Sequence, residues 1–282
     1  MAHLVEGQLK DIGDFAVRRV LPTAKQRHVG PFVFLDHFGP VQLPKGQGLD
    51  VRPHPHIGLA TVTYLFEGEI VHRDSLGYEQ TIVPGEVNWM VAGKGIVHSE
   101  RTPDALRQAG ARKHGIQMWV ALPTYLEDCE PSFAHYDQSQ LGHVVTEAYE
   151  VNVLAGSWLG ATSEVDAPGV IYHVVRASSE VTLPLPDAEE RGVYVVLGQV
   201  TVGGQMFDPG QLAVCSEADA EVSLLAGAVA LIIGGTPVGE RHMFWNFVSS
   251  DRDKIEVAKH LWQQDGFAKV PGESERIPLP PG

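Results

Sequence analysis

Glycine and proline cut this chain into short pieces. The 30 glycines and 19 prolines are spread over all 282 residues, and runs of six to eight alternating or β-branched residues lie between them, with few long stretches of 3.6-residue period. LATVTYLF (59–66), EVNWMV (86–91), IQMWVAL (116–122), YEVNVL (149–154), VIYHVV (170–175), GVYVVL (192–197) and VALIIG (229–234) are of this kind. Short strands at this spacing point to a sandwich or barrel, so the fold class read from the pattern is all-β. One convincing helix comes late. Ser250 serves as its N-cap with Asp253 three residues on, Ile255, Ala258, Leu261 and Trp262 share a face, and Gly266 follows as the terminating residue. The tail beyond it, VPGESERIPLPPG, carries too much proline for regular structure.

The chain also echoes itself. Tyr64-Leu-Phe-Glu-Gly68-Glu-Ile70 returns as Tyr194-Val-Val-Leu-Gly198-Gln-Val200, and Pro84-Gly85-Glu-Val87 returns as Pro209-Gly210-Gln-Leu212, at offsets of 130 and 125 residues. A strand, a glycine turn, a strand and a Pro-Gly turn into another strand, used twice, predict two β-barrels in tandem. The division expected is 1–137 and 138–282, with the linker near residues 135–145 and the late helix packed on the β body.

Composition narrows the function. With 44% apolar and 20% charged residues the chain has the mixture of a folded, water-soluble protein. A balance of 21 Lys+Arg against 35 Asp+Glu gives a net charge of -14, and no basic run exceeds Arg18-Arg19, which argues against direct nucleic-acid binding. The most apolar window, 224–235, carries three glycines and falls short of the roughly 18 apolar residues of a membrane span. The opening MAHLVEGQLKDIGDFAV lacks the basic-then-apolar order of a secretory signal. Cys129 and Cys215 are far apart with no CxxC, which argues against a disulfide framework or a thiolate metal site. The expected location is cytoplasmic.

Two short motifs carry chemistry. His54-Pro55-His56 precedes the first strand of the first module, and His98-Ser99-Glu100 follows Gly93-Lys94-Gly95 in its later part. Residues i and i+2 of a strand point to one side, so each pair delivers two ligands in one direction. A single pair is more often a solvated strand face; two pairs in one module make a cup of three imidazoles and one carboxylate. That donor set suits Fe, Mn, Co, Ni, Cu or Zn. Four protein ligands on an octahedral ion leave two positions open, the mark of a catalytic rather than a structural site.

These motifs bring the chain to a family. In the cupin pattern a Glu and a Gly follow His-x-His; Thr61 and Gly68 stand at those places, so the Glu is absent and the carboxylate has moved to His-x-Glu. In that respect, and along PFVFLDHFGP (31–40), RPHPHIGLATVTYLFEGEIVHRDSLG (52–77), PGEVNWMVAGKGIVHSE (84–100), GIQMWVALP (115–123) and GGTPVGERHMFWNFVSS (234–250), the sequence resembles pirins. The resemblance implies a bicupin with one divalent transition metal, Fe(II) favoured, held by His54, His56, His98 and Glu100 in the N-terminal barrel. It further implies a dioxygenase that cleaves a flavonol such as quercetin with loss of carbon monoxide, Glu100 doubling as ligand and as the base that takes the enolic proton. Pirins also include transcriptional coregulators, so the alternative is a metal-binding regulatory protein with a protein partner and no essential catalysis.

Applied to the second module, the offsets place Pro184 and Pro186 where His54 and His56 stand, and Ser223 and Leu225 opposite His98 and Glu100. The second barrel is therefore expected to be a structural partner without ligands. Phe38, Trp89, Met90, Met118 and Trp119 are read as pocket lining or plain core. His72 is a polar contact at the mouth or a loop residue, Asp36-His37 a turn, and His114, His135, His143, His173, His242 and His260 structural.

Overall fold

A computed structural model describes residues 1–11 and 15–281. The seven quoted runs lie on strands Leu59–Glu67, Val87–Val91, Ala111–Ala121, Tyr149–Ala155, Val170–Ala177, Glu190–Leu197 and Val229–Gly235. The described residues form two α-helices, Asp104–Ala109 and Arg252–Gln263, and neither is long and apolar enough to cross a membrane. The fold is all-β.

One unit, the N-terminal barrel, comprises Phe38–His135 and the segment from Val238 onward. Its longer sheet carries the antiparallel order Val87–Val91, Leu59–Glu67, Ala111–Ala121; its shorter sheet runs Val51–His56, Ile96–Arg101, Ile70–Asp74, Glu79–Ile82. The other unit, the C-terminal barrel, comprises Tyr136–Pro237 with Met1–Lys10 and Val17–His37. It repeats the plan: Gln211–Val214, Glu190–Leu197, Val229–Gly235 in one sheet and Val181–Pro184, Glu221–Leu224, Val200–Val202, Gln205–Phe207 in the other. The same strand order in both establishes the duplication. The turn glycines agree: Gly68 and Gly198 have φ of 86° and 71°, and a Cβ at either would come within 2.6 to 2.7 Å of backbone. Only glycine fits such a turn.

The units are not cut at 137/138. Their central parts meet at His135 and Tyr136, but each takes in an end of the chain. Long-range pairing is the reason. His3–Glu6 zips onto Gln211–Val214 as an outer strand of the C-terminal barrel's sheet, which covers an open edge. The late helix packs Ile255, Ala258 and Trp262 on Ile57, Val97 and Phe247 of the N-terminal barrel.

Three local details differ from the sequence reading. Asp251 is the helix N-cap, accepting from the Asp253 amide at 2.9 Å, because the Ser250 amide and hydroxyl are both spent on buried Glu127. The left-handed terminating residue is Asp265, φ 59°, and Leu261 lies outside the buried stripe. Asp36-His37 is no turn: both lie within the strand Phe32–Leu43, where Asp36 is held bidentate by Arg19 and His37 Nδ1 lies 2.7 Å from the Tyr194 hydroxyl.

Candidate metal centre

Strand geometry brings the first motif together. His54 and His56 flank Pro55 on the strand Val51–His56, and His98 sits directly opposite His54 on the neighbouring antiparallel strand. The ring centroids are 5.0 Å (His54 to His56), 4.4 Å (His54 to His98) and 5.0 Å (His56 to His98) apart. One ring nitrogen of each lies within 4.8 Å of the other two, spacing that could hold a metal ion. The His54 Nδ1–H donates to the Arg52 carbonyl at 2.9 Å, which leaves its Nε2 as the lone-pair nitrogen.

Electrostatics keep the three rings neutral. All are buried, and burial is the largest cause holding His54 down to about 4 and His56 and His98 well below the ordinary histidine value, with repulsion from neighbouring histidines adding to it: His72 on His54, His54 on His56, and His54, His56 and His72 on His98. Neutral imidazoles are metal ligands. Neither ring nitrogen of His56, nor Nε2 of His98, has a hydrogen-bond partner. An orphaned buried polar atom costs about 1–3 kcal/mol, and an ion among the three rings would take up one such nitrogen of His56 and the Nε2 of His98. The residues present therefore fit a divalent transition metal.

Glu100 follows His98 by two residues and stands outside the trio. Its Oε1 accepts from the Thr63 hydroxyl at 3.2 Å, and that hydroxyl lies 2.9 Å from Gln117 Oε1. Burial raises the Glu100 carboxyl above its ordinary value against the opposing pull of His72, Thr63 and Lys113.

His72 is neither at the mouth nor in a loop. It lies buried on the strand Ile70–Asp74, opposite Glu100, with Asp74 opposite His98. Phe133 stacks on its ring at 4.3 Å. His72 Nε2 lies 3.0 Å from Asp74 Oδ2, and its Nδ1 lies 3.3 Å from His98 Nδ1. Asp74 is fixed in turn by the amides of Leu76 and Tyr78. The carboxylate can only accept, so His72 carries its proton on Nε2 and presents a lone pair at Nδ1. His98 then donates from Nδ1 and aims an unprotonated Nε2 at the trio. The signal for this line was the i, i+2 spacing of His72 and Asp74, the spacing that drew attention to the other two pairs.

Of the aromatic and Met residues weighed as lining, Trp119 reaches the site, its ring edge-on to His56 at 5.2 Å; Met90 packs with Ala92 and Ile96. Among the histidines read as structural, His135 is held to Asn88 and His143 to Asn152.

The C-terminal barrel corrects the offset. Pro184 is exposed, and Ser223 bonds Thr182 at 2.8 Å through exposed hydroxyls. The positions packed into that barrel's core are Leu183, Leu185, Val222 and Leu224. Of the four positions copied by the offset, Pro186 is buried while Pro184 and Leu225 are exposed, so a fixed offset does not keep to one face of these strands.

The chain matches the Pirin family over residues 14–120 and the Pirin C-terminal cupin domain over residues 172–268. A pirin-like protein of Caulobacter vibrioides is 45% identical over 98% of both chains. The chain belongs to the pirin family. Another pirin-like protein, from Solanum lycopersicum, is 29% identical over 91% of this chain and 89% of its own. The crystal structure of quercetin 2,3-dioxygenase from Acinetobacter baumannii superposes with a TM-score of 0.91 at 34% identity, covering 99% of this chain and 95% of that one. Both halves of this pirin are thus cupin barrels, and the three-histidine group lies in the N-terminal one.

Proposed function

We propose that this pirin is a metal-dependent dioxygenase that cleaves a flavonol such as quercetin, with one Fe(II) held by His54, His56, His98 and Glu100. The observation that carries the reading is the trio of buried, neutral, converging imidazoles, two of which keep an unpartnered ring nitrogen; the likeness to a quercetin 2,3-dioxygenase along almost the whole chain supports the chemistry. When bound, the ion supplies a Lewis-acid and redox centre open to substrate and dioxygen.

The chain's own residues do the rest. His98 is held in one tautomer by His72 and Asp74. Trp119 gives the substrate ring an apolar wall beside His56. Glu100, displaced upward in pKa by burial, is a stronger proton acceptor than an exposed glutamate and takes the proton of the substrate's enolic hydroxyl. Thr63 holds the carboxylate until then.

The test is element-resolved metal analysis of the purified protein followed by oxygen uptake and carbon monoxide release with quercetin. Stoichiometric iron with quercetin-dependent uptake is expected. Stoichiometric metal without uptake would move the reading to a metal-binding regulatory protein.

A further inference from the structure

Lys113 is a cation sealed inside the N-terminal barrel without a hydrogen-bond partner for its Nζ. It lies on the strand Ala111–Ala121, on the same pleat face as Gly115 and Gln117, and Gln117 reaches Thr63, which reaches Glu100. Gly115 has no side chain, and the Phe38 ring occupies that space as an apolar wall. The residue is 1% exposed, and its Nζ has no hydrogen-bond partner.

Asp50, Glu100 and Glu69 all act on it electrostatically, yet burial outweighs them and holds the amine down to about 8. None of the three hydrogen-bonds its Nζ, and two are engaged elsewhere. Asp50 is spent on Arg107, at 2.8 and 2.7 Å, and on the Thr102 amide; Glu100 accepts from Thr63. Packing alone gives no reason for lysine here, because an apolar side chain of similar length would fill the volume without a buried, unpaired charge. Three unused donors facing the same interior as the metal centre are what an anionic ligand would complete.

We propose that Lys113 is the anion contact of the substrate pocket, receiving an ionised phenolic or carboxylate oxygen of a small aromatic substrate whose other oxygen is held at the histidine centre. This rests on the reading of His54, His56 and His98 as a substrate-binding metal site, and it narrows the substrate class to compounds with two separated oxygens, one of them ionised.

The experiment compares iron-reconstituted wild type, Lys113→Met and Lys113→Arg in anaerobic titrations followed by absorbance. Quercetin and 4-hydroxybenzoate serve as the phenolic and carboxylate probes, and 3-hydroxyflavone, which lacks the remote hydroxyls, as the control. Lys113→Met is expected to weaken quercetin or 4-hydroxybenzoate about ten- to a hundredfold, the range for a hydrogen bond to a charged group. It should leave 3-hydroxyflavone binding and iron content unchanged and the melting temperature equal or higher. Lys113→Arg should recover part of the loss. Wild-type affinity for both ionised probes in Lys113→Met, or no binding of either by wild type, overturns the contact; so does a lowered melting temperature with loss of iron. Lys113-dependent binding of quercetin with no oxygen consumption in air would sink the dioxygenase reading and leave the anion contact standing.

Discussion

The two barrels share a strand order and differ in what they point inward. On corresponding strands the N-terminal barrel presents His54, His56 and His98, with Glu100 beyond, whereas the C-terminal barrel packs Leu183, Leu185, Val222 and Leu224. The leucine version closes on itself and leaves no polar atom to satisfy. The histidine version leaves orphaned nitrogens, so the fold does not need it, and its retention points to a ligand. The C-terminal barrel tolerates one comparable group, His173, stacked on Trp158 at 5.3 Å with both ring nitrogens unpartnered and held by burial to about 3. A lone imidazole packs as a flat apolar ring; three converging ones do not.

Each way of breaking this difference has an expected size. Glu100→Gln gives the largest change in rate: quercetin turnover should fall by about two to four orders of magnitude, the loss typical of a positioned base, while the protein keeps most of its metal on the three imidazoles. Initial rate and metal content on one preparation decide it, and near-normal turnover at full occupancy would remove Glu100 as the base.

His72→Phe should come next. Phenylalanine keeps the stack on Phe133 but cannot accept from His98, so metal affinity should weaken about ten- to a hundredfold, as when an outer partner of a ligating histidine is lost. Chelator competition measures this. Unchanged affinity would show that the Asp74–His72 line does not orient His98.

Exchanging the interiors gives a smaller effect of opposite sign. His54→Leu, His56→Leu and His98→Val together, copying the C-terminal barrel, should raise the urea midpoint of the metal-free protein, by about 1–3 kcal/mol for each orphaned group removed. A lowered midpoint would mean that the imidazoles hold the barrel together by themselves.

The same difference shows in the pH dependence of the metal-free protein. The buried histidines titrate below their ordinary 6.5, His54 at about 4, so between those values the unfolded chain binds more protons than the folded one. Stability should therefore be full above pH 6.5 and fall on acidification, by about 1.4 kcal/mol per pH unit for each such group. His173 contributes in the same direction. Denaturation midpoints across this window in wild type and in the triple apolar variant measure the contribution of the trio, which should be the difference between the two slopes.

What was legible in the sequence was local. The alternation of 59–66 or 192–197 and the spacing that brings His54 and His56 to one side are set within a few residues, and the structure places those strands and the His54, His56, His98 group accordingly. What depended on distant pairing was not. His3–Glu6 becomes an outer strand only because Gln211–Val214 leaves an edge for it. Thr63 and Gln117 reach Glu100 through the register of neighbouring strands, and His72 looked like a loop residue because its partner His98 lies one strand away. The offset through Pro184 failed because copying an alignment across unequal loops is blind to which face a strand turns inward.

Metal stoichiometry in wild type and His98→Ala, measured by element-resolved analysis beside far-ultraviolet circular dichroism, tests the trio most directly. Wild type should hold one divalent transition-metal ion per chain, and His98→Ala should lose most of it with its β spectrum intact, because the apolar core rather than the ion holds a chain of this size. Full retention of the ion by His98→Ala, or a second ion of equal occupancy bound within residues 150–235, would contradict a single centre built on His54, His56 and His98.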